Sequence, residues 1–275
     1  MKTLNNHLIL YDANCPMCDL YTGAFVKAGL LPHNGRNAYQ QMPANVCPMI
    51  DRQRAVNEIA LVDRQTGEVT YGIRSLFKIF GNAMPMLTPV FNARPVVWLF
   101  SKLYAFISYN RRVIIPAPIS ENDQELQPTF NLTYRIAYLL FTWLATGCIL
   151  THYVRLMNGV VPQGSNLREY FICGGQIVFQ GVVLLFLNRE KLWDYLGNMM
   201  TVSFGGALVL TLGLMLSKFF AVAPICYLLF FLLTAGLMLL EHIRRSKLLR
   251  LSWVPSVTWV LYRVMVLALI LMKVI

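Results

Sequence analysis

Residues 7–18 read His7-Leu8-Ile9-Leu10-Tyr11-Asp12-Ala13-Asn14-Cys15-Pro16-Met17-Cys18. HLILYDA (7–13) is a short apolar run bounded by turn formers, the pattern of a buried strand. From Pro16 to about Leu30 the spacing turns helical, with apolar positions at Leu20, Phe25 and Val26. Two cysteines therefore open the first helix directly after the first strand. At that place unpaired amides and the helix dipole stabilise a thiolate at Cys15. Cys18 lies one turn deeper and can close a small disulfide ring with it. Pro16 falls at an early helical position, where its missing N–H costs little. Cys15 is the expected attacking thiol, Cys18 the resolving one. Asp12 ends the strand, near enough to accept or relay a proton, and its charge tends to raise a neighbouring thiol.

Further elements follow in the same half. NAYQQM (37–42) is a second strand candidate. NEIALVD (57–63) and EVTYG (68–72) flank Arg64-Gln65-Thr66-Gly67, a hairpin pattern with glycine in the turn. IRSLFKIFG (73–81) has helical spacing and is expected to stop at Gly81. The order β-α-β then β-β-α, with Cys-x-x-Cys opening the first helix, is thioredoxin-like. A lone Cys-x-x-Cys is also half of a zinc site, or an inert pair. Structural zinc needs four ligands, and beyond Cys15 and Cys18 this half offers only Cys47, His7 and His33, with no second paired motif. Redox chemistry is the preferred reading, with no metal and no cofactor.

Outward from this half the composition changes. The chain has 275 residues, 56% hydrophobic and 13% charged, with a mean hydropathy of +0.52. Soluble domains carry about 25% charged residues, so a wholly soluble protein is excluded. Residues 1–128 hold 12 Lys/Arg and 9 Asp/Glu; residues 129–275 hold 12 and 4. The formal charge of +11 thus divides into +3 and +8. The acidic stretch from Pro116 to Pro128 reads as a linker, so the domains are expected at 1–115 and 131–275, with 116–130 between. Five runs, about 132–152, 170–188, 198–217, 219–240 and 256–275, can each cross about 30 Å of hydrocarbon. Arg111, Arg112, Arg189, Lys191, Arg244, Arg245, Lys247 and Arg250 lie on one alternate set of loops. Arg155, Arg168 and Lys218 mark the opposite set of ends, so the N-terminus is expected inside and the C-terminus outside. MKTLNNHLILYDA lacks a secretory h-region. Residues 95–109 (PVVWLFSKLYAFISY) are apolar but short, with Lys102 in the middle. They read as a core or interface-lying helix rather than a span.

Asp12 to Cys18 resembles the Asp-x-x-Cys-x-x-Cys signature of the DCC family, predicted thiol–disulfide oxidoreductases with a thioredoxin-like fold. Further similarities lie in order at Gln40-Gln41, Glu58 to Asp63, the Gly67 hairpin, Tyr71-Gly72 and Tyr109-Asn110-Arg111, covering 7–115. The resemblance implies the redox role of Cys15 and Cys18. Ala13 departs from the family's usual glycine, and no proline immediately precedes the strand at 58–63, where thioredoxins dock substrate backbone.

Other chemistry-bearing residues have plainer readings. Cys47, before Pro48, is an incidental loop cysteine or a partner thiol. Cys148, Cys173 and Cys226 fall in the expected spans, all toward the outer leaflet. They read as small packing residues, with an outward electron relay as the rival. Gln176 and Gln180 share a face near Gly174, Gly175 and Gly181. They read as hydrogen-bonding a neighbouring helix, with a quinone head group as the rival. Arg263, within the last span, is expected to snorkel or to pair with Glu241. The basic loop 242–253 is accounted for by topology rather than nucleic acid, and His152 and His242 show no metal-ligand spacing.

The expected activity is thiol–disulfide exchange in a bacterial inner membrane, the redox domain cytoplasmic. Its partners would be the bilayer and a thiol or disulfide protein or small thiol. The rivals are a transport or sensor protein with a regulatory DCC domain, and a transmembrane electron conduit.

Overall fold

The computed structural model describes residues 2–41, 50–117 and 128–274. Cys47 and residues 118–127 of the expected linker lie outside the described residues. The chain divides into two compact units, Met1–Tyr134 and Arg135–Ile275.

In the first unit, β1 (His7–Tyr11) is followed by α1 (Pro16–Lys27) and β2 (Arg36–Ala38). Next come α2 (Arg52–Asn57), β3 (Ala60–Asp63), β4 (Val69–Tyr71) and α3 (Ile73–Ala83), then α4 (Thr88–Asn92) and α5 (Arg94–Ile114). The four strands form one mixed sheet in the order β2-β1-β3-β4. β1 runs parallel to β2, with Ile9 opposite Arg36, and antiparallel to β3, with Ile9 opposite Leu61. Its sequence explains its central place. An unbroken apolar run suits a strand covered on both faces, and Ile9 and Leu10, pointing opposite ways, are both fully buried. Ile9 packs with Phe25, Leu31, Ile59 and Ile79; Leu10 packs with Ala55, Ala60 and Val62. Burying each contributes about 1.5–3 kcal/mol.

The β3–β4 hairpin turns through 64–68. Asp63 Oδ1 accepts the Gln65 N–H at 2.9 Å, and Gly67 takes φ +74°. Three local expectations change. The second strand is shorter than 37–42: after Ala38 the chain makes a 3-10 turn over Tyr39–Gln41, which carries Gln40 back toward Asp12. The strand expected at 57–63 is shorter, Ala60–Asp63, because Asn57 ends α2, a helix that Asp51 caps by accepting the Arg54 N–H at 2.9 Å. Gly81 does not end α3, which continues to Ala83. Between β4 and α3, Gly72 sits at φ +60°, and a Cβ there would meet Glu58 Oε2 at 2.8 Å, so the position demands glycine.

The second unit contains helices long and apolar enough to cross a membrane. Five such segments, Leu132–Met157, Arg168–Leu187, Arg189–Leu216, Pro224–Leu248 and Val254–Leu271, make the chain an integral membrane protein by length and composition. Their helices are α6 (Leu132–Val154), α7 (Arg168–Leu187), α8 (Leu192–Leu216), α9 (Pro224–Leu248) and α10 (Val254–Leu271). α9 corrects the expected loop at 242–253, since its helix runs on to Leu248. Glu241 holds Arg244 and Arg245 one turn ahead, both at 2.7 Å, and carries the helix through the basic stretch. Small residues let the helices close. At Gly175 the Tyr262 hydroxyl stands 2.5 Å from where a Cβ would be.

Candidate functional site

The loop after β1 is tied by its own side chains. Asp12 Oδ1 accepts the Asn14 N–H at 3.1 Å, and the Asp12 carbonyl accepts the Cys15 N–H at 3.1 Å. Gln40 completes the bracket: its Oε1 accepts the Ala13 N–H at 3.1 Å, and its Nε2 donates to Asp12 Oδ1 at 2.9 Å. The result sets Cys15 as the cap of α1, with extended backbone, and Pro16 in the first turn. Its Sγ accepts the Cys18 N–H at 3.4 Å, one of the amides a helix start leaves unpaired. Thr22 donates to the Cys18 carbonyl at 2.7 Å one turn on.

The site is dry. Cys15 is 1% exposed, Cys18 2% and Asp12 2%. Into it from α5 comes Arg111, 4% exposed. Its Nη2 donates to Asp12 Oδ2 at 3.0 Å and to the Val56 carbonyl at 2.6 Å. Arg112 Nη2 stands 3.6 Å from the same carboxylate oxygen. The rest of that side of α5 is fixed to the end of α2 and the start of β3. The Tyr104 hydroxyl accepts the Ile59 N–H at 3.0 Å, and Ser108 donates to the Asn57 carbonyl.

These surroundings divide the two thiols. A hydrogen bond from the Cys18 side chain lowers Cys15 most, and the Arg111 charge adds to it. Burial and the Asp12 charge oppose them, and the thiol settles at about 6. Cys18 moves the other way, pushed far above the ordinary thiol range by its bond to Cys15 and by burial. Near neutral pH these shifts favour a thiolate at the helix start beside a neutral thiol. Burial also raises the Tyr21 and Tyr104 phenols, which keeps both neutral.

Comparison with protein-family models, with curated proteins and with solved structures finds no match.

The three sequence-derived site residues, Cys15, Cys18 and Asp12, come together, but Asp12 is engaged rather than free. It holds Arg111 and Gln40, so its geometry is that of a counter-ion and turn-former. Arg111 reads from the sequence as a base flanking the first span, and its bond to Asp12 brings it into this site instead. The signal was present in the spacing. Tyr104, Ser108 and Arg111 stand at i, i+4 and i+7, a polar stripe on an apolar helix.

In the membrane unit, Gln180 is fully buried, its Oε1 accepting from Tyr195 at 2.9 Å and from Thr258 at 3.3 Å. It bonds neighbouring helices, whereas Gln176, expected to do the same, is buried with its Nε2 unpartnered among the described residues. The Tyr195 hydroxyl also stands 3.0 Å from His242 Nε2, and His242 Nδ1 stands 3.3 Å from Ser256. Arg263 does not pair with Glu241, whose oxygens hold Arg244 and Arg245. Its guanidinium lies 3.8 Å above the Trp259 ring instead. Cys148, Cys173 and Cys226 are all free thiols, the first and last exposed. His152 bonds the Cys148 carbonyl at 2.8 Å. Among the described residues no three His, Cys, Asp or Glu gather in a metal-ligand group.

Proposed function

We propose that the chain is a membrane-anchored thiol–disulfide oxidoreductase working through Cys15 and Cys18. One observation carries this reading: the two sulfurs sit at the start of α1 in opposite protonation tendencies, with Cys15 lowered to about 6. A thioredoxin-like assignment is supported by the sheet order β2-β1-β3-β4 with the pair at the first helix start, and by the DCC resemblance. The basic residues on alternate loops support a cytoplasmic side for this unit in a bacterial inner membrane, where the resting state would be the dithiol.

The exchange runs in two steps. Cys15 thiolate attacks one sulfur of a substrate disulfide, forming a mixed disulfide and releasing the other sulfur as a thiolate. Cys18 then attacks Cys15 Sγ, breaking the mixed bond and releasing the second substrate thiol. The proton that Cys18 loses passes to the departing substrate sulfur. The pair gives up two electrons and ends as the Cys15–Cys18 disulfide. Because Cys15 is 1% exposed, a small thiol or disulfide suits the site better than a folded protein surface.

The test is Cys18→Ala expressed in cells, with adducts separated under non-reducing conditions. A covalent partner that disappears in the Cys15→Ser, Cys18→Ala double variant supports the proposal. A Cys15 that forms no adduct and resists alkylation counts against it. A transport or sensor protein with a regulatory domain would instead retain flux in Cys15→Ser.

A further inference from the structure

The outer side of α4 and α5 has the wrong polarity for water. Along α5, Leu99, Leu103 and Ile107 form one stripe, 49%, 48% and 47% exposed, with Trp98 beside it at 65%. Met86, just before α4, is 92% exposed. The inner side of the same helix carries Tyr104, Ser108 and Arg111, which bond into the unit. An amphipathic helix on a soluble domain is built the other way round, and a contiguous apolar face of this kind marks an interaction surface.

Charge says what covers it. Between Glu68 and Glu121 the sequence contains no acidic residue, while Arg74, Lys78, Arg94, Lys102, Arg111 and Arg112 lie there. Arg111 is spent on Asp12, and Lys78 stands 3.5 Å from Glu68. Arg94 and Lys102 sit on α5 itself, both exposed, with no ion-pair partner among the described residues. Apolar side chains, a tryptophan and unpaired bases on one helix are the composition of a helix lying in the interface of an anionic bilayer. The same chain keeps a bilayer close, because its first membrane-length helix starts at Leu132 and α5 ends at Ile114. α5 does not itself span, since its inner side is held by the backbone at the end of α2 and just before β3.

We infer that the α4–α5 face rests on the surface of an anionic lipid leaflet, with Trp98, Leu99, Leu103 and Ile107 in the acyl boundary and Arg94 and Lys102 at the headgroups. The inference stands whatever the chemistry of Cys15.

The experiment reconstitutes the full chain and its Trp98→Phe variant in phosphatidylcholine vesicles, with or without phosphatidylglycerol, and measures tryptophan quenching by nitroxide lipids. The expected result is a quenchable component present in the parent chain and lost in Trp98→Phe. It should be larger for a nitroxide near the headgroup than for one at the acyl end, should grow with phosphatidylglycerol, and should lose that dependence in Arg94→Glu, Lys102→Glu. Adding Leu103→Trp to Trp98→Phe should restore the component, which guards against a folding defect. Equal quenching of the parent and Trp98→Phe would overturn the inference, by showing the face in water or covered by protein such as a second copy. A component quenched most at the acyl end, or indifferent to phosphatidylglycerol, would overturn it as well.

Discussion

Arg111 Nη2 donates to Asp12 Oδ2 at 3.0 Å across 99 positions of sequence, tying the last helix of the first unit to the loop that carries its cysteines. Both side chains are at most 5% exposed, so the pair is desolvated, with the half-exposed Arg112 as a second, longer contact to the same carboxylate. The bond fixes the end of α5 and puts a positive charge where a thiolate forms.

Removing one partner should therefore be costly. Asp12→Asn is expected to destabilise the first unit by about 3–5 kcal/mol, the usual cost of leaving one buried charge unpaired. Arg111→Met should cost less, since Arg112 stays 3.6 Å from the carboxylate. Denaturant unfolding followed by near-ultraviolet circular dichroism in detergent measures it. A loss below about 1 kcal/mol would show that the pair is screened by solvent.

The Cys15 alkylation rate, read on the tryptic peptide that carries both cysteines, should be half-maximal near pH 6 rather than pH 9. Cys18→Ala removes the largest lowering influence and Arg111→Met another, so each should move the midpoint upward. A parent midpoint near 9 would remove the basis for an activated thiol.

The same shift makes the stability of the reduced protein depend on pH. Cys15 is held at about 6 in the folded chain against 9.0 ordinarily. A lowered thiol stabilises the fold fully above the unfolded value, and that contribution is lost as pH falls through about 6. The parent should lose stability relative to Cys15→Ser between pH 9 and pH 6, in thermal melts of the reduced proteins.

In the membrane unit, the Tyr195 hydroxyl serves both Gln180 and His242. Tyr195→Phe leaves those buried groups short of a partner, at about 1–3 kcal/mol. A lowered melting temperature in detergent, with Tyr227→Phe as a control for losing a ring hydroxyl, measures the effect.

What the sequence made legible was local. The run at His7–Tyr11, the pair opening α1, the hairpin at Gly67 and the membrane-length helices all depend on spacing within a few residues. What stayed hidden depended on partners distant in sequence. Arg111 looked like a topology charge because nothing nearby in sequence shows that Asp12 receives it. Gln40 lay in an expected strand, and only its bonds to Ala13 and Asp12 explain why the chain turns there. His242 looked like a solitary histidine in a basic loop, whereas Glu241 keeps the helix going and Tyr195, from α8, gives it a partner.

Under the proposed function Cys15 and Cys18 form one redox couple. The direct measurement is the mass of the tryptic peptide Thr3–Lys27 after the intact protein meets oxidised glutathione. The parent peptide should lose two hydrogens and regain them with dithiothreitol, while Cys18→Ala should accumulate a glutathione adduct on Cys15. A parent peptide that keeps both thiols, with no adduct in Cys18→Ala, would contradict the proposed function.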